Sequence, residues 1–305
     1  MKKYIKIMRI DHWIKQLFIM PGVVCALLLS NGTIDIVKLL FGFISTCFIA
    51  SANYVINEYL DAEFDKFHPT KKHRSVVENN VKGSVVFFLW IILTSIGTIT
   101  GYFVNKSFMW MVLFLWFMGV LYNVKPIRTK DIPFLDVLSE SINNAIRFML
   151  GWFIISDNTI APSSILFGYW MGGAFLMATK RYAEYRMIND PELAGKYRKS
   201  FKYYTEHSLL LSAFFYAMCS VFFIGVFLIK YRIELILWIP LLIGLFCYYF
   251  YISFKDDSAV QKPEKLYHEK GLMFYMLLLC VMFTILMFVD IPWLQIFTTS
   301  TVIKF

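Results

Sequence analysis

Residues 36–65 read IVKLLFGFISTCFIASANYVINEYLDAEFD. Positions 36–60 of this stretch form an apolar run long enough to cross a bilayer, which takes a helix of about 20 mostly apolar residues. Near its end, Asn57, Asp61 and Asp65 recur at every fourth position. On a helix they share one face and stand about 6 Å of rise apart. The stretch therefore predicts a membrane helix that ends in a stripe of oxygen-bearing side chains.

Similar apolar runs occupy most of the rest of the chain. Of the 305 residues, 58% are hydrophobic and 17% are charged, and the mean hydropathy is +0.59. A soluble domain has about 45–50% apolar and about 25% charged residues, so this composition excludes a disordered or collagen-like chain and argues against a water-soluble enzyme. We predict an all-α polytopic membrane protein, a single integral membrane domain over residues 1–305. Its nine expected spans are 16–31, 36–60, 84–104, 107–123, 133–155, 161–184, 207–229, 233–253 and 271–290.

Basic residues predict the orientation of these spans. Most of the 30 Lys and Arg residues lie at the amino terminus or in every second loop. Such an asymmetry places those segments in the cytoplasm. We therefore expect a protein of the cell inner (cytoplasmic) membrane, with its amino terminus inside and its carboxyl terminus outside. The net charge of +9 then reflects topology, and no nucleic-acid partner is expected.

The acidic stripe is suited to a hard cation. Asn57, Asp61 and Asp65 offer oxygen ligands of the kind that Mg²⁺ prefers, with water and phosphate completing its shell. At the carboxyl end of a helix the macrodipole disfavours negative charge, and carboxylates four residues apart repel each other. A bound cation would remove both penalties. The alternative is a solvated helix end.

A basic segment, HPTKKHR at residues 68–74, follows the acidic stripe directly. Lys and Arg beside a metal ion are typical of a site for a polyphosphate. We therefore expect Lys71 and Arg74 to bind substrate. Anchoring of a cytoplasmic loop explains the same charge equally well.

The predicted fifth span carries a polar stripe of its own. Asp136, Glu140, Asn143, Asn144 and Arg147 fall on or near one helical face. Arg147 lies about 16 Å of helix rise deeper than Asp136. An ionisable group at such a depth faces a protein interior and is a candidate functional residue. The alternative is a structural pair between Arg147, one of the asparagines and an acid from another helix.

Polar residues also close the fourth and sixth predicted spans, at the same cytoplasmic level. The fourth ends in Tyr122 and Lys125, and the sixth ends in Lys180, Arg181, Glu184 and Arg186. Four spans thus bring acidic and basic groups to one depth. We predict a charged pocket that opens toward the cytoplasm inside a helical bundle.

These motifs resemble the UbiA superfamily of intramembrane prenyltransferases. The first acidic motif of the family, N-D-x-x-D-x-x-x-D, is matched by Asn57, Asp61 and Asp65, with Glu58 in place of the usual Asp. The downstream H-P-x-K-x-x-R stretch is matched by His68, Pro69, Lys71 and Arg74, with Ser75 where the family often has Pro.

The second acidic motif is similar to one branch of that family. The usual D-x-x-x-D is replaced by Lys180-Arg181-Tyr182-Ala183-Glu184, a form that resembles the decaprenyl-phosphate 5-phosphoribosyltransferase-like branch. The branch's opening motif, R-P-x-x-W-x-K-N, is approximated by Arg9, Trp13, Lys15 and Gln16, with Ile10 departing from Pro. Its D-V…R stretch is matched by Asp136, Val137 and Arg147.

The resemblance implies a fold, a reaction and a set of site residues. The fold is a bundle of nine helices around a central cavity open toward the cytoplasm. The reaction is Mg²⁺-dependent transfer of a 5-phosphoribosyl group from phosphoribosyl diphosphate (PRPP) to a polyprenyl phosphate, as in cell-wall or surface-glycan pathways. The implied metal ligands are Asn57, Asp61 and Asp65, and the implied catalytic residues are Asp61, Asp65, Lys180 and Glu184. The implied substrate-binding residues are Lys15, Lys71, Arg74, Tyr122, Lys125, Asp136, Asn144, Arg147, Arg181 and Arg186.

Two other functions stay open at this point. An ordinary prenyltransferase would move an isoprenyl group from its diphosphate to an aromatic or lipid acceptor. An anion or drug transporter would use the same charged cavity without chemistry, although transporters often show internal repeats, and the sequence contains no convincing one.

Overall fold

The computed structural model describes residues 2–30, 32–78, 81–255, 258–261, 266 and 268–298. Every regular element within those ranges is helical. The α-helices are α1 (Lys2–Ile7), α2 (Met20–Leu29), α3 (Ile36–Asp65), α4 (Ser75–Glu78), α5 (Gly83–Tyr102), α6 (Lys106–Asn123), α7 (Leu135–Ile155), α8 (Ser163–Ile188), α9 (Pro191–Tyr197), α10 (Glu206–Tyr231), α11 (Ile239–Ser253) and α12 (Lys270–Phe288). Short 3-10 helices cover Ile10–Ile19, Lys71–His73, Thr129–Asp131, Lys199–Lys202, Ile233–Trp238, Ala259–Gln261 and Pro292–Phe297.

Seven helical segments of the described chain are long and apolar enough to cross a membrane, which confirms a multi-pass, all-α membrane protein. They are Lys3–Leu29, Ile36–Asp65, Gly83–Tyr102, Lys106–Asn123, Glu206–Tyr231, Ile233–Ser253 and Lys270–Phe288. The predicted fifth and sixth spans coincide with α7 and α8, which are long helices of more polar composition. In α7, Asp136, Ser139 and Ser141 are buried, so part of its polarity faces protein rather than lipid. The count of nine spans and the orientation stay predictions.

The first span differs in its local structure from a single helix over 16–31. A 3-10 helix, Ile10–Ile19, leads into α2, and the candidate span begins at Lys3. Pro21 stands in the first turn of α2, where its missing N–H is not needed and its fixed φ angle suits a helix start. His12 lies before residue 16, the predicted start of the span, and therefore falls within the longer span of the structure.

Close helix packing fixes α2 against α7. A Cβ atom at Gly22 would lie 1.9 Å from the Phe148 carbonyl oxygen, and one at Gly151 would lie 1.9 Å from the Ile19 carbonyl oxygen. Only glycine allows two backbones to approach so closely. The crossing holds the 3-10 segment beside the middle of α7.

The helix that carries the acidic stripe is continuous. Asp35 caps α3 by accepting hydrogen bonds from the backbone amides of Val37 at 2.9 Å and Lys38 at 3.2 Å. The hydroxyl of Ser45 donates to the Gly97 carbonyl oxygen of α5 at 2.6 Å. The helix then runs without interruption to Asp65, five residues past the predicted end of the span.

The chain forms two compact units. The first, here called the amino-terminal unit, comprises Met1–Ala161 and Ile188–Thr205. The second, the carboxy-terminal unit, comprises Pro162–Met187 and Glu206–Phe305. The segment 188–205, which contains α9, thus belongs with the first seven α-helices.

Candidate active site

The predicted acidic stripe lies on about the last two and a half turns of α3. Asp65 is buried, Asp61 has a side-chain exposure of 15%, and Asn57 is half-buried. The amide nitrogen of Asn57 donates to the amide oxygen of Asn123, at the end of α6, at 2.5 Å. The stripe therefore faces neighbouring protein segments rather than open solvent.

Asp61 is held by two cations from the loop between α6 and α7. Arg128 Nη2 lies 3.0 Å from its carboxylate, and Lys130 Nζ makes a second ion pair with the same oxygen. Lys130 also donates to the amide oxygen of Asn123 at 3.0 Å. Burial lowers the pKa of Lys130 to about 8, and the opposing attraction of Asp61 does not restore it to the usual value.

Asp65 is paired within the predicted basic segment. Arg74 Nη1 lies 2.6 Å from its carboxylate. Burial disfavours the charge on Arg74, but Asp65 and Glu58 outweigh that effect and raise its pKa above the ordinary value. Lys71 donates to the hydroxyl of Tyr197 and lies 4.8 Å from the centroid of that ring, whereas Lys72 is exposed. Lys71 is thus the lysine of this segment that turns inward.

A small recess joins these groups within the amino-terminal unit. Its volume is about 20 Å³, enough for a water-sized group. It is lined by Asp61, Phe64, Asp65, Arg128, Lys130, Asp131, Tyr197 and Arg198. Both carboxylates and cationic side chains line it, so it offers partners to a cation and to an anion.

A second polar group lies where α6 and α7 meet. The hydroxyl of Tyr122 donates to Glu140 at 2.6 Å, and Arg198 Nη1 lies 3.3 Å from the same hydroxyl. Asp136 is fully buried and accepts hydrogen bonds from the segment that follows α9. Of the other expected binding residues here, Lys125 is exposed and Asn144 is half-buried.

Deeper in the same unit, Arg147 contacts the 3-10 segment Ile10–Ile19. Its Nε donates to the amide oxygen of Gln16 at 2.9 Å, and its Nη1 donates to the Asn143 carbonyl oxygen at 3.3 Å. Gln16 is completely buried, and its amide nitrogen has no hydrogen-bond partner. Lys15 directly precedes Gln16 in the chain, and its Nζ lies 3.2 Å from His12 Nδ1.

The second motif belongs to the carboxy-terminal unit. Arg181 Nη1 donates to Glu184 at 3.1 Å, and both side chains are 2% exposed. Lys180 is half-buried. Arg186 Nη1 lies 3.4 Å from the Phe254 carbonyl oxygen, and its guanidinium lies 5.7 Å from the ring centroid of Tyr182. A common pocket for the two motifs stays a prediction.

Sequence reasoning missed six residues of the recess: Phe64, Arg128, Lys130, Asp131, Tyr197 and Arg198. Their basic members were interpreted as topology signals, since any cytoplasmic loop is rich in Lys and Arg. Asp61 and its partner Lys130 are 69 residues apart, so no local spacing reveals the contact. One feature of the sequence could have indicated the site. Arg128, Lys130 and Asp131 place charges of both signs within four residues of a short loop.

The donor set fits a magnesium ion. Asp61 and Asp65 present hard carboxylate oxygens to one recess, and Asn57 lies on the same helical face. Within the described ranges, no three His, Cys, Asp or Glu side chains are grouped as a metal cage. Mg²⁺ does not need such a cage, because it is usually held by one or two carboxylates together with water and substrate phosphates.

Two named relatives match parts of the sequence. Nodulation protein NoeC of Azorhizobium caulinodans is 25% identical over 199 residues, which cover 63% of this chain and 62% of that protein. Decaprenyl-phosphate phosphoribosyltransferase of Mycolicibacterium smegmatis is 26% identical over 210 residues, which cover 67% of this chain and 63% of that protein. The matched region thus spans less than two thirds of either relative.

The fold and the family are established by broader matches. A UbiA homologue from Archaeoglobus fulgidus, solved with DMAPP and Mg²⁺, superposes with a TM-score of 0.70 at 20% identity, covering 94% of this chain and 100% of the other. The sequence profile of the UbiA prenyltransferase family matches residues 18–279. The chain is therefore a member of the UbiA prenyltransferase family.

Proposed function

We propose that this chain transfers a 5-phosphoribosyl group from PRPP to a polyprenyl phosphate and releases diphosphate. Membership of the UbiA family supports transfer from a diphosphate donor. The named Mycolicibacterium smegmatis relative and the Lys180 form of the second motif support the phosphoribosyl donor.

The recess around Asp61 and Asp65 carries this proposal. In the reaction, the bond between the anomeric carbon and the diphosphate oxygen breaks, and the acceptor phosphate oxygen bonds to that carbon. Asp61, Asp65 and Asn57 would hold Mg²⁺, which supplies positive charge for the departing diphosphate. Arg74 and Lys71 would bind its outer oxygens. Because the acceptor phosphate is already an anion, no general base is required.

Lys180 distinguishes this donor from an isoprenyl diphosphate. A second metal site would need carboxylates at both ends of the motif, and Lys180 replaces one of them with a positive charge. We propose that Lys180, with Arg181 or Arg186, binds the 5-phosphate of PRPP and that Glu184 contacts the ribose hydroxyls or the metal. The isoprenyl donors lack that additional phosphate.

The hydrogen-bonded pair of Arg147 and Gln16 is suited to the phosphate of the acceptor, the polyprenyl phosphate. Gln16 offers a buried amide nitrogen without a hydrogen-bond partner beside the guanidinium of Arg147. A buried donor left unsatisfied costs about 1–3 kcal/mol, which an anionic oxygen would recover. We propose that these two donors, together with Lys15, Tyr122, Lys125 and Asn144, bind the polyprenyl phosphate.

Isoprenyl transfer is the second candidate function. It is favoured by the Archaeoglobus fulgidus homologue of the same fold, which was solved with DMAPP and Mg²⁺. The carboxylates of Asp61 and Asp65 would serve a prenyl diphosphate in the same way. Lys180 would then need a different role.

We also propose that the site opens to the cytoplasm across an inner membrane. The basic residues of the amino terminus and alternate loops support this orientation. A highly charged donor such as PRPP would reach the site only from that side.

Pyrophosphate release tests the proposed function. Detergent-purified protein should release pyrophosphate only when Mg²⁺, PRPP and a polyprenyl phosphate are all present. Lys180→Ala should raise KM for PRPP about tenfold, the scale of one charged hydrogen bond. Lys230→Ala, an exposed lysine in the same unit, is the matched control. Release from an isoprenyl diphosphate alone, or an unchanged KM in Lys180→Ala, would contradict the assignment.

A further inference from the structure

Asp136 is a completely buried carboxylate in the first turn of α7. A buried charge is stable only when hydrogen bonds and opposite charges replace its lost hydration. Three donors supply that replacement. They are the Tyr204 hydroxyl at 2.7 Å, the Ser200 hydroxyl at 3.1 Å and Arg198 Nη1 at 3.3 Å.

These three donors all come from one short segment, residues 198–204, which follows α9. The hydroxyl of Tyr204 also accepts a hydrogen bond from the backbone amide of Phe134, immediately before α7. Ser200 is completely buried and Tyr204 is 3% exposed. The Asp136 carboxylate is therefore an anchor that three side chains of this segment share at the start of α7.

The same segment supplies one wall of the recess. Tyr197 and Arg198 line it beside Asp61 and Asp65. Tyr197 also meets Lys71, and Arg198 meets Tyr122. Loss of the attachment at Asp136 would remove one contact of Arg198 directly and would loosen the chain next to Tyr197.

We propose that Asp136 is a positioning residue that holds residues 197–204 against α7 and thereby places Tyr197 and Arg198 at the diphosphate site. This role replaces the substrate-binding role that the resemblance implies for Asp136. It rests on the proposed function in one respect, the binding of a diphosphate in the recess. The attachment itself depends only on the contacts of Asp136.

Limited proteolysis tests the attachment without any activity. Trypsin can cleave this region after Lys196, Arg198, Lys199 and Lys202. Asp136→Ala should be cleaved there at least about fivefold faster than the wild type, because residues 198–204 lose all three contacts. Ser200→Ala and Tyr204→Phe remove one hydroxyl each and should increase cleavage to a smaller extent. Ser141→Ala is the control and should match the wild type, because Ser141 is buried in the same helix and its hydroxyl donates to the Leu138 carbonyl oxygen within that helix.

Binding of Mg²⁺-pyrophosphate tests the positioning. In calorimetric titration of the detergent-purified protein, Asp136→Ala should bind this probe about tenfold more weakly. Tyr204→Phe should bind it about threefold more weakly, the scale of one neutral hydrogen bond. Asp136→Asn keeps an acceptor for Tyr204 but loses the charge that attracts Arg198, so its affinity should lie between those of Asp136→Ala and the wild type.

Two results would overturn the positioning role. One is unchanged cleavage of this segment in Asp136→Ala and Tyr204→Phe. The other is faster cleavage with undiminished affinity for Mg²⁺-pyrophosphate. If the wild type itself binds no Mg²⁺-pyrophosphate, the proposed function fails instead, and the proteolysis alone decides whether Asp136 attaches the segment.

Discussion

The Asp61 carboxylate has Arg128 and Lys130 as partners in this structure, and Asp65 has Arg74. Each acid that could bind a metal ion is therefore already neutralised by a cation. A carboxylate at the carboxyl end of a helix is unfavourable on its own, and these cations offset the cost. In the proposed reaction, the same cations would be available for the phosphates of the donor once Asp61 and Asp65 bound the ion.

Asp61→Asn tests the role of the stripe at the level of one atom. The substitution keeps the size of the side chain but removes the negative charge. We expect the rate of pyrophosphate release to fall at least about 100-fold, because stabilisation of the leaving group is lost. The Mg²⁺ concentration for half-maximal rate should also rise. Glu63→Gln, an exposed acid on the same turn, is the matched control. Equal losses in both variants would contradict a specific role for Asp61.

Helix packing determines where the hydrogen-bonded pair of Arg147 and Gln16 lies. The close crossing of α2 and α7 at Gly22 and Gly151 sets the neighbouring 3-10 segment against the middle of α7. Gln16 reaches Arg147 from that segment. A sequence pattern could predict α7 and its polar stripe, but it could not predict that a 3-10 helix would supply the partner.

Gly151→Ala tests this crossing. A new methyl group would meet the Ile19 carbonyl oxygen at 1.9 Å, so the helices must separate. Overpacking costs about 1–3 kcal/mol, and we expect the Tm in detergent to fall by at least about 3 °C. Gly225→Ala is the control, because a Cβ atom at Gly225 would lie 3.4 Å from Cδ1 of Ile239, an ordinary contact distance. An unchanged Tm in Gly151→Ala would contradict the packing described here.

Across the whole molecule, periodic and compositional features were predictable from the sequence. They include the all-α membrane fold, the second span and the common face of Asn57, Asp61 and Asp65, because each depends on local spacing. Contacts between distant segments were not predictable. Lys130 meets Asp61 and Tyr197 meets Lys71 only because folding brings separate loops together, and Lys and Tyr are common at any cytoplasmic membrane surface. The first span begins at Lys3 rather than at residue 16. The 3-10 helix Ile10–Ile19 contains polar residues, so its sequence does not show the continuous apolar run by which a span is predicted.

Transfer of radiolabelled ribose from PRPP to lipid tests the central claim most directly. Membrane vesicles containing the protein would be prepared inside-out and right-side-out and supplied with Mg²⁺ and a polyprenyl phosphate. Since PRPP does not cross the bilayer, we predict that label enters the lipid phase in inside-out vesicles and not in intact right-side-out ones. Lipid labelling from a radiolabelled isoprenyl diphosphate, with none from PRPP in either preparation, would contradict the phosphoribosyl assignment. Labelling from PRPP confined to right-side-out vesicles would contradict the cytoplasmic orientation of the site.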